Sequence, residues 1–552
     1  MRNGSPDGRA LWWVGLVLVL SVVLGSFLRP PKVPVVDRST PVEPLVGPAR
    51  GLMPVGGTIR LRSAQGGGLY VSDPADGSGR WYGEQAVLEA VPDLRAAARR
   101  LATPTALQWR HPLPGLPAAL VMQVTERLPD GRVGLPVQHT YLFADHGALP
   151  VLSLTASDAA FFDPDLGLLV VGNGIFTAGT KVTDYHANDP RWWKYPGNFH
   201  GRGKEWQRPG TLELMDAQGR EILQAPVDLR INGQMTRGFP QHALRVLMRE
   251  PLEHGIFPDG DGEGTHALVL RAAGNDQVKA MLRDAYQHGL CRGLPFETSR
   301  SLTCVTYLNG AYWGVHHLRQ RLDEKELARR HGISRKDIAL LEDRAFPYHA
   351  DSSDVLDFLS LVKGSQRWDG RSAAWLDTVE ARLDVDGFLT YMASQMILGN
   401  MDWPRQNVKY WRYIGEPTGQ APLDGRWRFI MGDSDLGFGA NASVSVELFA
   451  QVKLDNAPIS SLFMALMRSP VLKARYVEKA TALLDGPLSA QQCTRQLDSL
   501  VGLMAPEMER HTARWRKPLD RAAWQREVDV MRTFAAGREQ ACREQLGKLR
   551  SP

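Results

Sequence analysis

Cysteine is scarce in this chain: 552 residues carry four, Cys291, Cys304, Cys493 and Cys542. No two of them stand as C-x-x-C, which excludes a zinc ribbon and a thioredoxin-type redox motif. H-E-x-x-H and G-x-S-x-G are also missing, so zinc-protease and α/β-hydrolase readings lose their usual support. No stretch carries charge of one sign. Lys+Arg 65 against Asp+Glu 60 leaves only +5, and the charges are interspersed, which argues against a basic nucleic-acid-binding stripe. Even the basic residues between Arg510 and Arg526 have Glu and Asp among them and read as a solvated helix face. There is no internal repeat. If the chain resides in an oxidising compartment, Cys291–Cys304 and Cys493–Cys542 are the local pairings to test first; free buried thiols are the alternative.

A long apolar run occurs once. From Leu11 to Leu28 the sequence has no charge, and about 18 such residues approach the length of a membrane-crossing helix. Trp12 and Trp13 sit where an interfacial aromatic belt would be, and Arg2 and Arg9 favour a cytoplasmic leader. This predicts a leader and transmembrane anchor over 1–28, with a cleaved signal peptide as the alternative. The expected location is the cell membrane, single-pass, with the bulk of the chain extracytoplasmic. Residues 29–55 are rich in Pro and Gly and read as a spacer.

The remainder, 43% apolar and 23% charged over the whole chain, has the composition of an ordinary folded protein. Residues 56–147 show short alternating stretches between turns and predict a small β-sandwich, with a helical patch near Leu94–Leu101; the module resembles small chitobiase-type or immunoglobulin-like domains. Its Gly66-Gly67-Gly68 run lacks the Lys-Ser/Thr of a phosphate-binding loop. Strand patterns continue through 148–320 and include LPVLSLTAS, GLLVVGNGIF and VDLRING. From 321 to 552 the period turns helical, with one strand pair, NVKYWRYI and GRWRFIMGD, set inside it. Pro258 to Gly264 imitates a calcium loop, but Leu270 replaces the bidentate Glu, so a turn is expected. His316-His317 lacks metal-ligand partners at useful spacing and reads as structural.

Two stretches carry chemistry. In Asn400-Met401-Asp402-Trp403-Pro404-Arg405-Gln406-Asn407, an Asp precedes an Asn by five positions, the D-x-x-x-x-N spacing of a kinase catalytic loop. There the Asp addresses the acceptor hydroxyl and the Asn holds metal. Gly432-Asp433-Ser434-Asp435-Leu436-Gly437 follows a strand and resembles the magnesium-binding D-F-G region. The bland reading is a cap and a turn.

These motifs, with Val227-Asp228-Leu229-Arg230-Ile231-Asn232-Gly233, Thr236-Arg237-Gly238, Leu270-Arg271, Gly274-Asn275-Asp276, Met281-Leu282-Arg283-Asp284 and Tyr307-Leu308-Asn309-Gly310-Ala311-Tyr312-Trp313-Gly314, resemble the CotH kinase family, the spore-coat-type atypical protein kinases. The resemblance implies an α+β, protein-kinase-like two-lobed fold. Its β-rich N-lobe would be 148–320 and its helical C-lobe 321–552, preceded by the β-sandwich and the N-terminal transmembrane helix. It implies Asp402 as catalytic residue and Asn407, Asp433 and Asp435 as metal ligands, with ATP and Mg²⁺ or Mn²⁺ as cofactors. Arg237, Arg245 and Gln320 fall at the nucleotide end. There Arg245 follows Pro240-Gln241-His242-Ala243-Leu244 where the family has Lys, and Gln320 replaces a Glu, so the usual Lys–Glu ion pair cannot form. The expected function is transfer of phosphate from Mg-nucleotide to Ser or Thr of an envelope protein, with membrane and nucleotide as partners and no nucleic acid. The alternative is a catalytically inactive envelope assembly or binding protein.

Overall fold

The computed structural model describes residues 44–173 and 197–550. The Leu11–Leu28 segment lies outside them. Among the described residues no helix is long and apolar enough to cross a membrane. The expectation of a transmembrane helix and of a single-pass membrane location is corrected on that finding.

The chain opens with β1 (Leu45–Gly47), β2 (Gly51–Leu52), β3 (Gly57–Arg62), β4 (Gly68–Ser72), β5 (Gly79–Tyr82), β6 (Gln85–Ala90), α1 (Leu94–Ala102), β7 (Ala119–Arg127) and β8 (Val137–Leu142). They form two sheets, ordered β1-β3-β6 and β2-β8-β7-β4-β5. Alternating residues of both, including Ile59, Leu61, Leu69, Met122, Val124 and Tyr141, share one core, as period-2 patterning requires.

β9 (Val151–Thr155), α2 (Asp158–Phe162), β10 (Arg208–Met215), β11 (Glu221–Ile231), β12 (Leu244–Met248), β13 (Ala267–Arg271), α3 (Arg283–Leu290), β14 (Ser301–Leu308) and β15 (Ala311–Gln320) follow. Here the structure corrects the expected kinase-like N-lobe. The strands do not form an open sheet but a closed barrel, β10-β11-β12-β13-β15-β14-β9. Closure comes from β9, which pairs antiparallel with β10 and parallel with β14, Val151 facing Val305. A closed barrel leaves no unpaired edge. Leu229, Ile231, Leu244, Val246, Leu268, Leu270 and Leu318 fill its interior. The stretch read as GLLVVGNGIF is turn rather than strand up to Asn173, though Leu168 and Leu169 still reach the barrel core.

The rest comprises α4 (Glu324–His331), β16 (Ile338–Glu342), β17 (Phe346–His349), α5 (Ser352–Arg367), α6 (Ala373–Arg382), α7 (Val385–Ile397), β18 (Val408–Tyr413), β19 (Arg428–Met431) and α8 (Ala450–Leu454). It ends with α9 (Pro458–Leu466), α10 (Pro470–Asp485), α11 (Ala490–Met504), α12 (Met508–Trp515) and α13 (Arg521–Arg550). The strands make a further, four-stranded sheet, β17-β16-β18-β19. α7 is buried along most of its length and lies in the largest core cluster. Such all-round burial suits a central helix.

The first two sheets are tied firmly to the barrel. Ala119 and Leu142 pack with Val151, Met215, Val305 and Tyr307. Buried Glu213 accepts hydrogen bonds from Gln138 and Thr140. Arg100 of α1 makes a bidentate pair with Asp158 and donates to the Asn309 carbonyl. All four cysteine thiols are buried and unpaired. The Pro258–Gly264 turn carries no free carboxylate pair for calcium, since Asp259 meets Arg300 at 2.5 Å and Asp261 meets Arg329 at 2.8 Å.

Candidate functional site

The site lies where the outer wall of the barrel meets the β16–β19 sheet. Residues pointing into the barrel alternate with residues pointing out. With Leu229, Ile231, Leu244, Val246, Leu268 and Leu270 inside, Arg230, Arg245, Val269 and Arg271 point out. Register then aligns them: Arg230 faces Arg245, Arg245 faces Val269 and Val269 faces Arg319. Three arginines therefore stand in one row across four strands, with Arg271 one step along β13.

Opposite this wall, the pairing of β18 with β19 brings the two motifs together. Val408 faces Met431, so the residues flanking them, Asn407 and Gly432, meet. A Cβ at Gly432 would collide with the Asn407 backbone, which leaves room there for glycine alone. Asn407 Nδ2 donates to Asp402 Oδ2 at 2.9 Å, and Gln406 donates to Asp402 Oδ1. Asn400 links the two loops: its Oδ1 accepts the Asp402 N–H and its Nδ2 donates to the Asp433 carbonyl, each at 3.4 Å. Trp403 anchors the first loop in the core through Tyr391.

Asp433 and Asp435 share one guanidinium. Arg271 Nη2 lies 2.5 Å from Asp433 Oδ1 and 3.1 Å from Asp435 Oδ2. Asn275 donates to both oxygens of Asp435 through its backbone N–H and its side chain. Burial and the Asp433 charge push the Asp435 carboxyl up to about 8, while Arg271 holds Asp433 below the usual carboxylate range. α3 fixes the intervening turn. Asp284 accepts the Ser434 N–H at 3.0 Å, Gln287 donates to the Ser434 carbonyl and His288 to the Gly432 carbonyl. Asp284 also meets Arg271 Nε at 3.2 Å and contacts Arg319.

Strain gathers here. Ala273, Met281, Asp343, Ala345, Asn407 and Phe438 all have left-handed φ, between 49° and 67°. Non-glycine residues in that region cost energy and concentrate at functional sites.

Of the residues expected at the nucleotide end, only Arg245 faces the cleft. Its Nη2 donates to Asn232, its Nε is buried without a partner, and burial, with Arg321 and Arg230 nearby, lowers it to about 10. Arg237 is spent on the backbone carbonyls of Phe199, Gly201, Ile231 and Gly233. Gln320 faces Leu268 on the opposite side of the wall and accepts from Arg330 at 2.5 Å. Arg245 and Gln320 are thus not neighbours.

Several residues at this cleft were not singled out for a role from sequence: Arg271, Asp284, Arg319, Asp343 and Lys409. Lys409 Nζ sits 3.9 Å over the Tyr348 ring and 3.3 Å from the Leu322 carbonyl. Burial, with repulsion from Arg321, lowers it to about 8. Asp343 donates its backbone N–H to the Val408 carbonyl at 2.9 Å, and burial raises its carboxyl. His317 is structural, bonded to Thr303 and the Met281 carbonyl.

A cavity of about 310 Å³ opens beside Asp402, bordered by Arg405, Gln406, Gln451, Leu454 and Asp455. A larger one, about 590 Å³, is lined by Glu297, Arg330, His331 and Trp411 and holds none of the expected site residues. Among the described residues no three His, Cys, Asp or Glu side chains gather as a metal cage. Two hard oxygens at the motif junction nevertheless accept no hydrogen bond among the described residues, Asn407 Oδ1 and Asp433 Oδ2. They suit Mg²⁺, which takes few protein oxygens beside phosphate and water. Asp435 has both oxygens engaged and fits a supporting role.

A family model described as CotH kinase protein matches residues 229–542, more than half of the chain. No curated protein matches it.

Proposed function

The chain belongs to the CotH kinase family, and from that footing we propose that it transfers the terminal phosphoryl group of a magnesium-bound nucleotide, ATP, to a Ser or Thr hydroxyl of a protein. The observation that carries this reading is the junction of the two loops, where Asn407 and Gly432 abut and Asn407 Oδ1 and Asp433 Oδ2 accept no hydrogen bond among the described residues. Bound there, the metal would neutralise charge on the phosphates and hold them in line with the acceptor. Asn407 and Asp433 are its ligands in this reading. Arg230, Arg245 and Lys409 supply the positive wall for the phosphates, and a half-buried, under-paired guanidinium such as that of Arg245 suits an anion. Asp402 faces the 310 Å³ cavity and takes the hydrogen bond, then the proton, of the acceptor hydroxyl as the oxygen bonds to phosphorus and the bridging P–O bond breaks.

A second reading, a catalytically silent binding protein, is favoured by one observation. Gln320 is engaged with Arg330 and apart from Arg245, so the Lys–Glu pairing of an active kinase has no counterpart there. The test is phosphate transfer from γ-labelled ATP to the chain or to an added protein mixture. Asp402→Asn should lower turnover by about 10²–10⁴-fold, the usual worth of a general base, while leaving nucleotide bound. Label transfer indifferent to Asp402 and Asp433 sinks the enzyme reading.

A further inference from the structure

Arg271 holds a position that the phosphotransfer chemistry leaves unexplained. It belongs to the barrel, yet its guanidinium binds carboxylates on the facing loop. One nitrogen, Nη2, serves Asp433 at 2.5 Å and Asp435 at 3.1 Å, while Nε stays 3.2 Å from Asp284 of α3. A positive group bridging the Asp433 carboxylate and the Asp435 carboxyl group, two residues apart, stands where a divalent cation would stand. We propose that Arg271 is the resting counter-ion of the Asp433–Asp435 pair, and that a divalent cation bound through Asp433 Oδ2 displaces Arg271 Nη2 from Asp433 Oδ1. The proposal rests on the phosphotransferase reading for the identity of that cation's site.

Three features support displacement over permanent bridging. A second carboxylate lies within reach, Asp284 at 3.2 Å from Nε without a hydrogen bond to it, so Nη2 can leave Asp433 while the guanidinium keeps an ion-pair partner. Arg319, on the adjacent barrel strand β15, also contacts Asp284. Two guanidinium groups so close are tolerated only while carboxylates lie between them, which gives the arrangement a built-in repulsion. Gly274, at φ +61°, completes the fit: a Cβ there would collide with the Asp435 carboxylate and lie 2.7 Å from Arg271 Nη2. The turn is shaped around this contact, which marks it as a defined state of the protein rather than a chance surface pair.

The experiment is calorimetric titration of the full chain with Mn²⁺ and no nucleotide, comparing wild type, Arg271→Lys, Arg271→Gln and Asp433→Asn. Arg271→Gln should bind Mn²⁺ roughly ten- to a hundredfold more tightly than wild type, the worth of a charge-assisted hydrogen bond that no longer has to be broken. Arg271→Lys should fall between, since an ammonium cannot bridge as the planar fork does. If Arg271→Gln fails to fold, the order of Lys against wild type decides. Asp433→Asn should bind least. Thermal melting should show a larger Mn²⁺-induced gain for Arg271→Gln than for wild type. Equal or weaker Mn²⁺ binding by the Arg271 variants overturns the proposal. If Mn-ATP still binds in an Asp433-dependent manner, that failure leaves the phosphotransferase reading standing. Absence of any Asp433-dependent Mn-ATP binding removes both.

Discussion

Replacing Lys409 by Met should make the empty protein more stable at neutral pH and impair nucleotide binding. The Lys409 ammonium sits in the cleft with one carbonyl and one aromatic face as its contacts. Arg321 and Arg245 repel it, and burial is the largest cause of its shift from the usual 10.5 to about 8. At about 1.4 kcal/mol per pH unit, that difference is on the order of 3 kcal/mol. The sign follows from proton counting. Below pH 8 both folded and unfolded chains carry the proton, and the folded state bears the full cost of burying the charge. Between pH 8 and 10.5 the unfolded chain binds more proton, so wild-type stability rises with pH and the cost disappears. Lys409→Met lacks this group altogether. Its stability advantage over wild type should therefore shrink by about 3 kcal/mol across that window. Urea unfolding followed by circular dichroism at pH 7, 8, 9 and 10.5 measures it, and other titrating groups cancel in the difference. An advantage that stays flat or grows with pH refutes the reasoning. It would mean that Glu342 or Asp343 compensates the ammonium fully.

Three further outcomes follow from buried pairs. Asp276 and Arg283, both fully buried and 2.5 Å apart, hold the turn that carries Asn275 and Asp284; Asp276→Ala should cost about 3–5 kcal/mol by breaking this buried pair and leaving Glu527 as the remaining carboxylate on the guanidinium, measured by chemical denaturation. Because Asp435 is raised to about 8 by burial and by Asp433, the native state binds a proton that the unfolded chain releases near pH 4. Its contribution to stability should fall as pH rises from 4 to 8, and Asp435→Asn should flatten that part of the pH–melting profile. Arg100→Ala removes the bidentate pair with Asp158 and the bond to Asn309; it should lower stability of the barrel as well as of the first two sheets, seen as one coincident unfolding transition monitored by two probes.

What was legible in the sequence was local. Asp402 and Asn407 are five positions apart, and the hydrogen bond between them closes one short loop. Asp433 and Asp435 follow a strand whose pairing with NVKYWRYI is a near-neighbour hairpin-like contact. The rest depends on register. Arg271, Arg319 and Arg245 face the cleft because their strands present alternate residues outward, and a shift of one residue would have turned each into the barrel. Gln320 shows the same rule in reverse, since its parity puts it on the wrong side of the wall for Arg245. Barrel closure rests on β9 meeting β14 across about 150 residues, a non-local parallel pairing that leaves no periodic trace. Lys409 alternates in its strand like any solvent-facing residue, and only the Tyr348 and Arg321 side chains opposite make it a buried cation.

The central claim is that Asn407 and Asp433 form a metal–nucleotide site addressed by Asp402. Isothermal titration of the full chain with Mg-ATP tests it most directly. Saturable, metal-dependent binding is expected, weakened at least roughly tenfold by Asp433→Ala and left in place by Asp402→Asn. No binding at millimolar nucleotide, or equal affinity in wild type and Asp433→Ala, would contradict it.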